Sequence, residues 1–184
     1  MLEQVQGKVK SYENDHNQKV ALIHGLVLRN TGDIERMHGE LMKSLSFFKQ
    51  ALKAIESSPD NIDRTREAAR TRGRLGEALV SQGIVREALE HYTAAVKAWE
   101  QVAASEAVKV DDCTSFADSL VSTAELKNRM GKASLAIKDL DKAANIITTV
   151  PLSRCGPVAR HCYQRYILIM ASAIKARNAA SVFS

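Results

Sequence analysis

Proline is scarce in this 184-residue chain, with three, and aromatic residues make up only 5%. Together with abundant alanine, that favours helices packed through small residues over a β-rich core. Long hydrophobic runs are missing. None approaches the ~18 residues of a membrane-spanning helix, and no signal-peptide pattern opens the chain. Both absences point to a cytoplasmic protein with no membrane partner. Cysteine is limited to Cys113, Cys155 and Cys162, an odd number without metal-ligand spacing. They read as reduced thiols, the alternative being a Cys155–Cys162 disulfide. Neither a metal nor a cofactor is implied.

The remaining composition is that of a soluble globular protein, 45% hydrophobic and 26% charged. The net charge is +5 and the sequence pI about 9.2. Such a balance attracts nucleic acid, anionic lipid or acidic peptides, but it discriminates little alone. His16, His24, His38, His91 and His161 have no Cys, Asp or Glu partner at a recurring ligand spacing. His161 and Cys162 are adjacent, which on a helix turns their side chains about 100° apart, so they make no nucleophile–base pair. With no convergent polar constellation, the chain reads as non-catalytic.

What the sequence does contain is a repeat. TGDIERMHGELMKSLSFFKQAL (31–52) aligns with LGEALVSQGIVREALEHYTAAV (75–96) at an offset of 44, and with TAELKNRMGKASLAIKDLDKAA (123–144) after another 48. Gly32 meets Gly76 and Ala124. Gly39 meets Gly83 and Gly131. Phe48 meets Tyr92 and Leu140, and Ala51 meets Ala95 and Ala143. Ala88, Tyr92 and Ala95 follow i, i+4, i+7, one face of a helix. Gly83 falls between two periodic runs, where a helix C-terminus wants a left-handed residue. Gly76 is expected to thin its helix for a close neighbour. A phosphate loop is a poor alternative, since no strand precedes these glycines and no Gly-Lys-Ser/Thr follows.

A small residue, a six-residue gap, a glycine and then Ala-x3-Tyr-x2-Ala resembles the tetratricopeptide repeat (TPR). Leu75, Gly76, Leu79, Ala88, Tyr92 and Ala95 fall on signature positions. The first copy departs at Thr31, Glu35 and Ser44, the third at Thr123, Ala124 and Lys127. The family's period of about 34 residues is stretched to 44 and 48. With Ser-Pro-Asp-Asn after the second helix, these long repeats resemble TPR regions of bacterial serine/threonine kinases or kinesin-light-chain-type repeats. No kinase motif, His-Arg-Asp or Asp-Phe-Gly, is present. The resemblance covers about residues 17–150. It implies an all-α fold, helical hairpins stacked as a right-handed α-solenoid with a C-terminal capping helix.

On this reading residues 1–184 form a single TPR-like domain. Residues 1–16 are the end of an earlier repeat or an N-terminal cap, which suggests a fragment of a longer protein. Repeats span 17–60, 61–104 and 105–152, and 153–184 is a capping helix and tail. Helices are expected at 3–13, 17–37, 40–57, 62–82, 84–104, 112–130, 132–149 and 157–179. The helix at 17–37 is apolar at Val20, Ile23, Val27 and Leu28. Pro157 suits a first helical turn. Val158, Cys162, Tyr166, Ile169 and Ala173 form one stripe of the last helix, broadened by Ile167, Leu168 and Met170. That predicts burial on two sides, by the array and by a second subunit.

Asp33, Glu77 and Glu125 recur at one non-core position, and the TPR resemblance places it in a concave groove. The same register puts Arg29, Arg36, Arg70, Asp118, Val121, Asn128 and Arg129 there, with Arg74. Two compatible readings stay open: a peptide-binding groove, or carboxylates paired with neighbouring arginines. Arg66, Arg70 and Arg74 stand at i, i+4, i+8, where like charges repel. Compensation by acids of the stack, or by an acidic partner, is expected. No aromatics interleave with the arginines, which argues against nucleic acid. The expected function is a non-catalytic protein–protein interaction scaffold that binds a peptide or helix in the groove, an acidic one among the candidates. The alternative is homo-oligomerisation, as the dimerisation module of a longer signalling protein such as a bacterial serine/threonine kinase.

Overall fold

Three glycines set the path of the chain. Gly39, Gly83 and Gly131 have φ of 81°, 76° and 75°, the left-handed conformation that only glycine adopts without strain. Each ends a helix the same way. At Gly83 the glycine N–H donates to Val80 O at 2.9 Å and the next N–H to Leu79 O at 2.9 Å, the paired bonds of a Schellman cap. Gly39 and Gly131 repeat the pattern.

The computed structural model describes residues 2–107, 109–149 and 157–182, with side chains described for 19–107, 109–148 and 164–179. Among the described residues there are seven helices and no strands: α1 Leu2–Met37, α2 Leu41–Glu56, α3 Ile62–Ser81, α4 Val85–Ala103, α5 Val110–Arg129, α6 Ala133–Thr149 and α7 Pro157–Val182. Pro157 is the first residue of α7, and Asn61 caps α3 by accepting the Arg64 N–H at 2.8 Å. Neighbours in sequence pack together, giving hairpins α1/α2, α3/α4 and α5/α6. Each leans on the next through α2–α3 and α4–α5, and α7 closes on α5 and α6. The protein is an all-α helical repeat solenoid.

Inside a hairpin, small residues let the two helices approach closely. A Cβ on Gly76 would lie 2.7 Å from the Tyr92 ring, and one on Gly32 2.7 Å from Phe48. In the third hairpin the ring is replaced by Leu140 and the glycine by Ala124, both fully buried. Between hairpins, Trp99 and Val102 of α4 pack with Phe116 and Leu120 of α5 in one cluster. Such neighbour-to-neighbour burial holds a repeat array together.

The structure corrects several expectations. Residues 3–13 and 17–37 are not two helices but parts of α1, which is 36 residues long. The expected break, Glu-Asn-Asp-His-Asn, contains neither Gly nor Pro, and its residues each cost less than about 0.7 kcal/mol in a helix. Val20, Ile23 and Val27 are exposed, because α1 turns Gly25 and Gly32 toward α2. Val121 is fully buried in the core and does not reach the groove. In α7, Ala173 is buried and Tyr166, Ile169 and Met170 pack on the core, while Ile167 and Leu168 are exposed. Among its described side chains, only one side of that helix is covered within the chain. The side chains of Val158, Cys155 and Cys162 lie outside the described residues.

Candidate partner-binding groove

The first helices of successive hairpins, α1, α3 and α5, together with α7, share a surface crossed by ion pairs. Arg29 of α1 pairs with Glu67 of α3. Arg74 of α3 reaches back to Asp33 of α1 at 3.3 Å and along its own helix to Glu77 at 3.1 Å. Arg70 bridges Glu67 at 2.8 Å and Asp112 of α5 at 3.0 Å. Arg165 of α7 holds Asp118 at 2.6 Å and Glu125 at 3.2 Å on α5, and donates to Ser122 Oγ at 3.1 Å.

Two hollows open between these bridges. The first has a volume of about 280 Å³, and Arg29, Asp33, Arg70, Arg74, Glu77 and Asp118 are on its wall. Three cations thus face three anions. Burial works against the charge on Arg74, but Glu77, Asp33 and Asp118 outweigh it and raise its pKa. Arg165 behaves likewise, with Asp118 and Glu125 overcoming burial. The hollow also meets Trp99, whose ring lies 5.8 Å from the Arg70 guanidinium carbon, within cation–π range. A second hollow, about 250 Å³, is lined by Arg36, Glu77 and Glu125 with Tyr92 and Arg165. Burial, and then Glu77, keep the Tyr92 phenol protonated by raising its pKa.

The structure therefore brings Arg29, Asp33, Arg36, Arg70, Arg74, Glu77, Asp118 and Glu125 to the two hollows. Arg129 lines neither, and instead pairs with Glu125 at 2.7 Å. Asn128 also lies outside them, donating to Ser172 Oγ of α7 at 3.0 Å.

Sequence reasoning passed over Gly73, Glu67, Trp99 and Arg165 as groove residues. Two of them share one position of the repeat register. The offsets that carry Gly76 to Ala124 and Leu168 carry Gly73 to Val121 and Arg165. That position changes character in every copy, from Arg29 to Gly73 to Val121 to Arg165, so recurrence does not reveal it. Gly73 lines the first hollow and differs from the packing glycines. A Cβ built there meets nothing within 4 Å, so no close helix approach accounts for it.

No protein-family model matches the sequence, and no curated protein matches it. Solved structures do. A TPR-like protein from Chlorobium tepidum TLS superposes with a TM-score of 0.64 at 16% identity, over 84% of this chain and 97% of that one. The fold is a TPR-like helical repeat. BtubC from P. vanneervenii is also similar, with a TM-score of 0.59 at 14% identity, over 85% of this chain and 64% of that one. At these identities the TPR-like assignment is one of fold. It does not extend to kinase-associated or kinesin-light-chain-type repeats. Among the described residues, no helix of this TPR-like array is long and apolar enough to cross a membrane.

Proposed function

We propose that the chain is a non-catalytic protein-interaction scaffold that receives a peptide or helix along α1, α3 and α5. Gly73 carries this reading. A glycine inside a helix costs about 1 kcal/mol relative to alanine, and here no neighbour would be displaced by an added Cβ. The space it leaves belongs to the first hollow, where a partner's side chain has room to enter. Hairpins supply the surface in units we read as repeats 17–60, 61–104 and 105–152, with 153–184 as the cap.

The ion pairs bear on the kind of partner. The arginine stripe that suggested an acidic ligand is neutralised from within, Arg66 and Arg70 by Asp112, and Arg74 by Asp33 and Glu77. A strongly charged ligand of either sign has to displace an internal pair. A neutral polar or apolar side chain above Gly73 does not.

Affinity capture with the wild type and with Gly73→Leu tests this. The leucine Cβ has space, the substitution improves helix propensity, and Gly73 lines the hollow that the side chain would enter. A protein recovered by wild type and lost by Gly73→Leu is expected, with the variant melting no lower than wild type. Equal recovery by both overturns the groove reading. A second reading, self-association, is supported by the uncovered apolar residues on the outer face of α1.

A further inference from the structure

Val20, Ile23, Val27, Ile34 and Met37 of α1 are exposed to between 50% and 80%. With Asn30 they occupy i, i+3, i+7, i+10, i+14 and i+17, two interleaved rows with a seven-residue repeat. That is the spacing of a seam between two paired helices. The stripe is about 26 Å long at 1.5 Å per residue. It lies away from Gly25 and Gly32, which face α2.

Part of the corresponding face of α3 and α5 is the contact between one hairpin and the next, while Ile23 and Asn30 correspond to Glu67 and Arg74 at the groove. At the repeat offsets Val27 becomes Thr71 and Ser119, and Ile34 becomes Ala78 and Leu126, all buried. In α1 the same face is uncovered and carries larger apolar side chains than Thr71, Ala78 and Ser119. It continues the surface that the array uses internally, in a form suited to a single long helix.

We propose that the occupant is α1 of a second copy, running antiparallel about a two-fold axis near residues 28 and 29. This rests on the self-association reading. In that register Val20 meets Met37 of the other copy, Ile23 meets Ile34, and Val27 meets Asn30. The flanking residues favour this direction. Lys19 and Asp33 border the seam on one side, and His24, Thr31 and His38 on the other. Lys19 is exposed and makes no ion pair among the described residues. Among the described residues Asp33 is paired with Arg74 at 3.3 Å and Arg36 at 3.7 Å, and its Oδ1 accepts no hydrogen bond. An antiparallel pair sets like borders together, and in this register Lys19 lies opposite residue 38 of the other copy, about 7.5 Å along the axis from its Asp33. A parallel pair sets Lys19 against the histidine border, which holds no carboxylate. Helix length agrees as well. α1 has 36 residues and α2 only 16, so α1 overhangs its hairpin. The overhang then runs past the other copy's α1–α2 turn, where Met42 is exposed.

The test uses the full chain with Cys113, Cys155 and Cys162 replaced by serine. Sedimentation equilibrium is expected to give twice the 20.2 kDa chain mass, falling to one chain mass in Val27→Glu/Ile34→Glu with helical content unchanged. Ile23→Cys and Ile34→Cys chains, mixed, are expected to cross-link to each other on oxidation, while neither cross-links alone. A dimer in which each single variant cross-links to itself overturns the antiparallel arrangement. A dimer that survives the double glutamate variant overturns α1 as the surface and leaves self-association standing. A monomer up to the highest soluble concentration overturns self-association itself.

Discussion

A methyl group added to Gly76 would sit 2.7 Å from the Tyr92 ring, one added to Gly73 would meet nothing within 4 Å, and Gly83 has φ of 76°. Three glycines of one hairpin thus serve a close contact, an opening and a turn, and alanine should separate them. Gly76→Ala is expected to cost about 1–3 kcal/mol through overpacking. Gly83→Ala costs about 1–2 kcal/mol through the left-handed backbone. Gly73→Ala gains about 0.5–1 kcal/mol from helix propensity. Urea denaturation of the three variants checks both the order and the sign. Gly76 and Gly83 were legible in the sequence because their constraint is structural and recurs in other copies. Gly73 was not, because its register partners are Arg29 and Val121, and nothing in spacing distinguishes a glycine that leaves room from one that is merely tolerated.

At the scale of elements, the tie between α3 and the start of α5 is a buried ion pair. Arg66 and Asp112 are 3% and 1% exposed, and Arg66 Nε donates to the two carboxylate oxygens at 3.1 and 2.9 Å. Arg66 also donates to Ala107 O at 2.8 Å, and Asp112 accepts the Lys109 N–H at 3.0 Å. The linker after α4 is thereby fastened to the preceding hairpin. Asp112→Ala leaves Arg66 buried without its main counter-charge, and is expected to cost about 3–5 kcal/mol, read from the denaturation midpoint. The sequence showed the arginine stripe and the need for compensation, but not that Asp112 supplies it for Arg66 and Arg70. That pairing depends on the linker folding back over α3, and no period describes a linker. Helix ends were readable within two residues wherever a Schellman glycine, the Asn61 cap or Pro157 marks them. The unmarked start of α1 was not.

The whole molecule is a row in which each hairpin is supported by its neighbours, so stability is highest where support comes from both sides. Hydrogen exchange is expected to be slowest in α3 to α6, and faster in the overhanging part of α1 and in α7, whose described side chains are covered on one side. Uniform protection across all seven helices would contradict this. The row itself was legible because its small residues recur. Which apolar residues remain uncovered was not, since Val20, Ile23 and Val27 carry the same letters whether a neighbour lies within the chain or outside it. The paired charges of the first hollow have a thermodynamic meaning too. Affinity that comes from displacing bound salt ions requires cations that hold such ions. Arg29, Arg70 and Arg74 hold carboxylates of their own chain instead. The groove is its own counterion atmosphere, and a partner bound over Gly73 would gain little from the release of salt into solution.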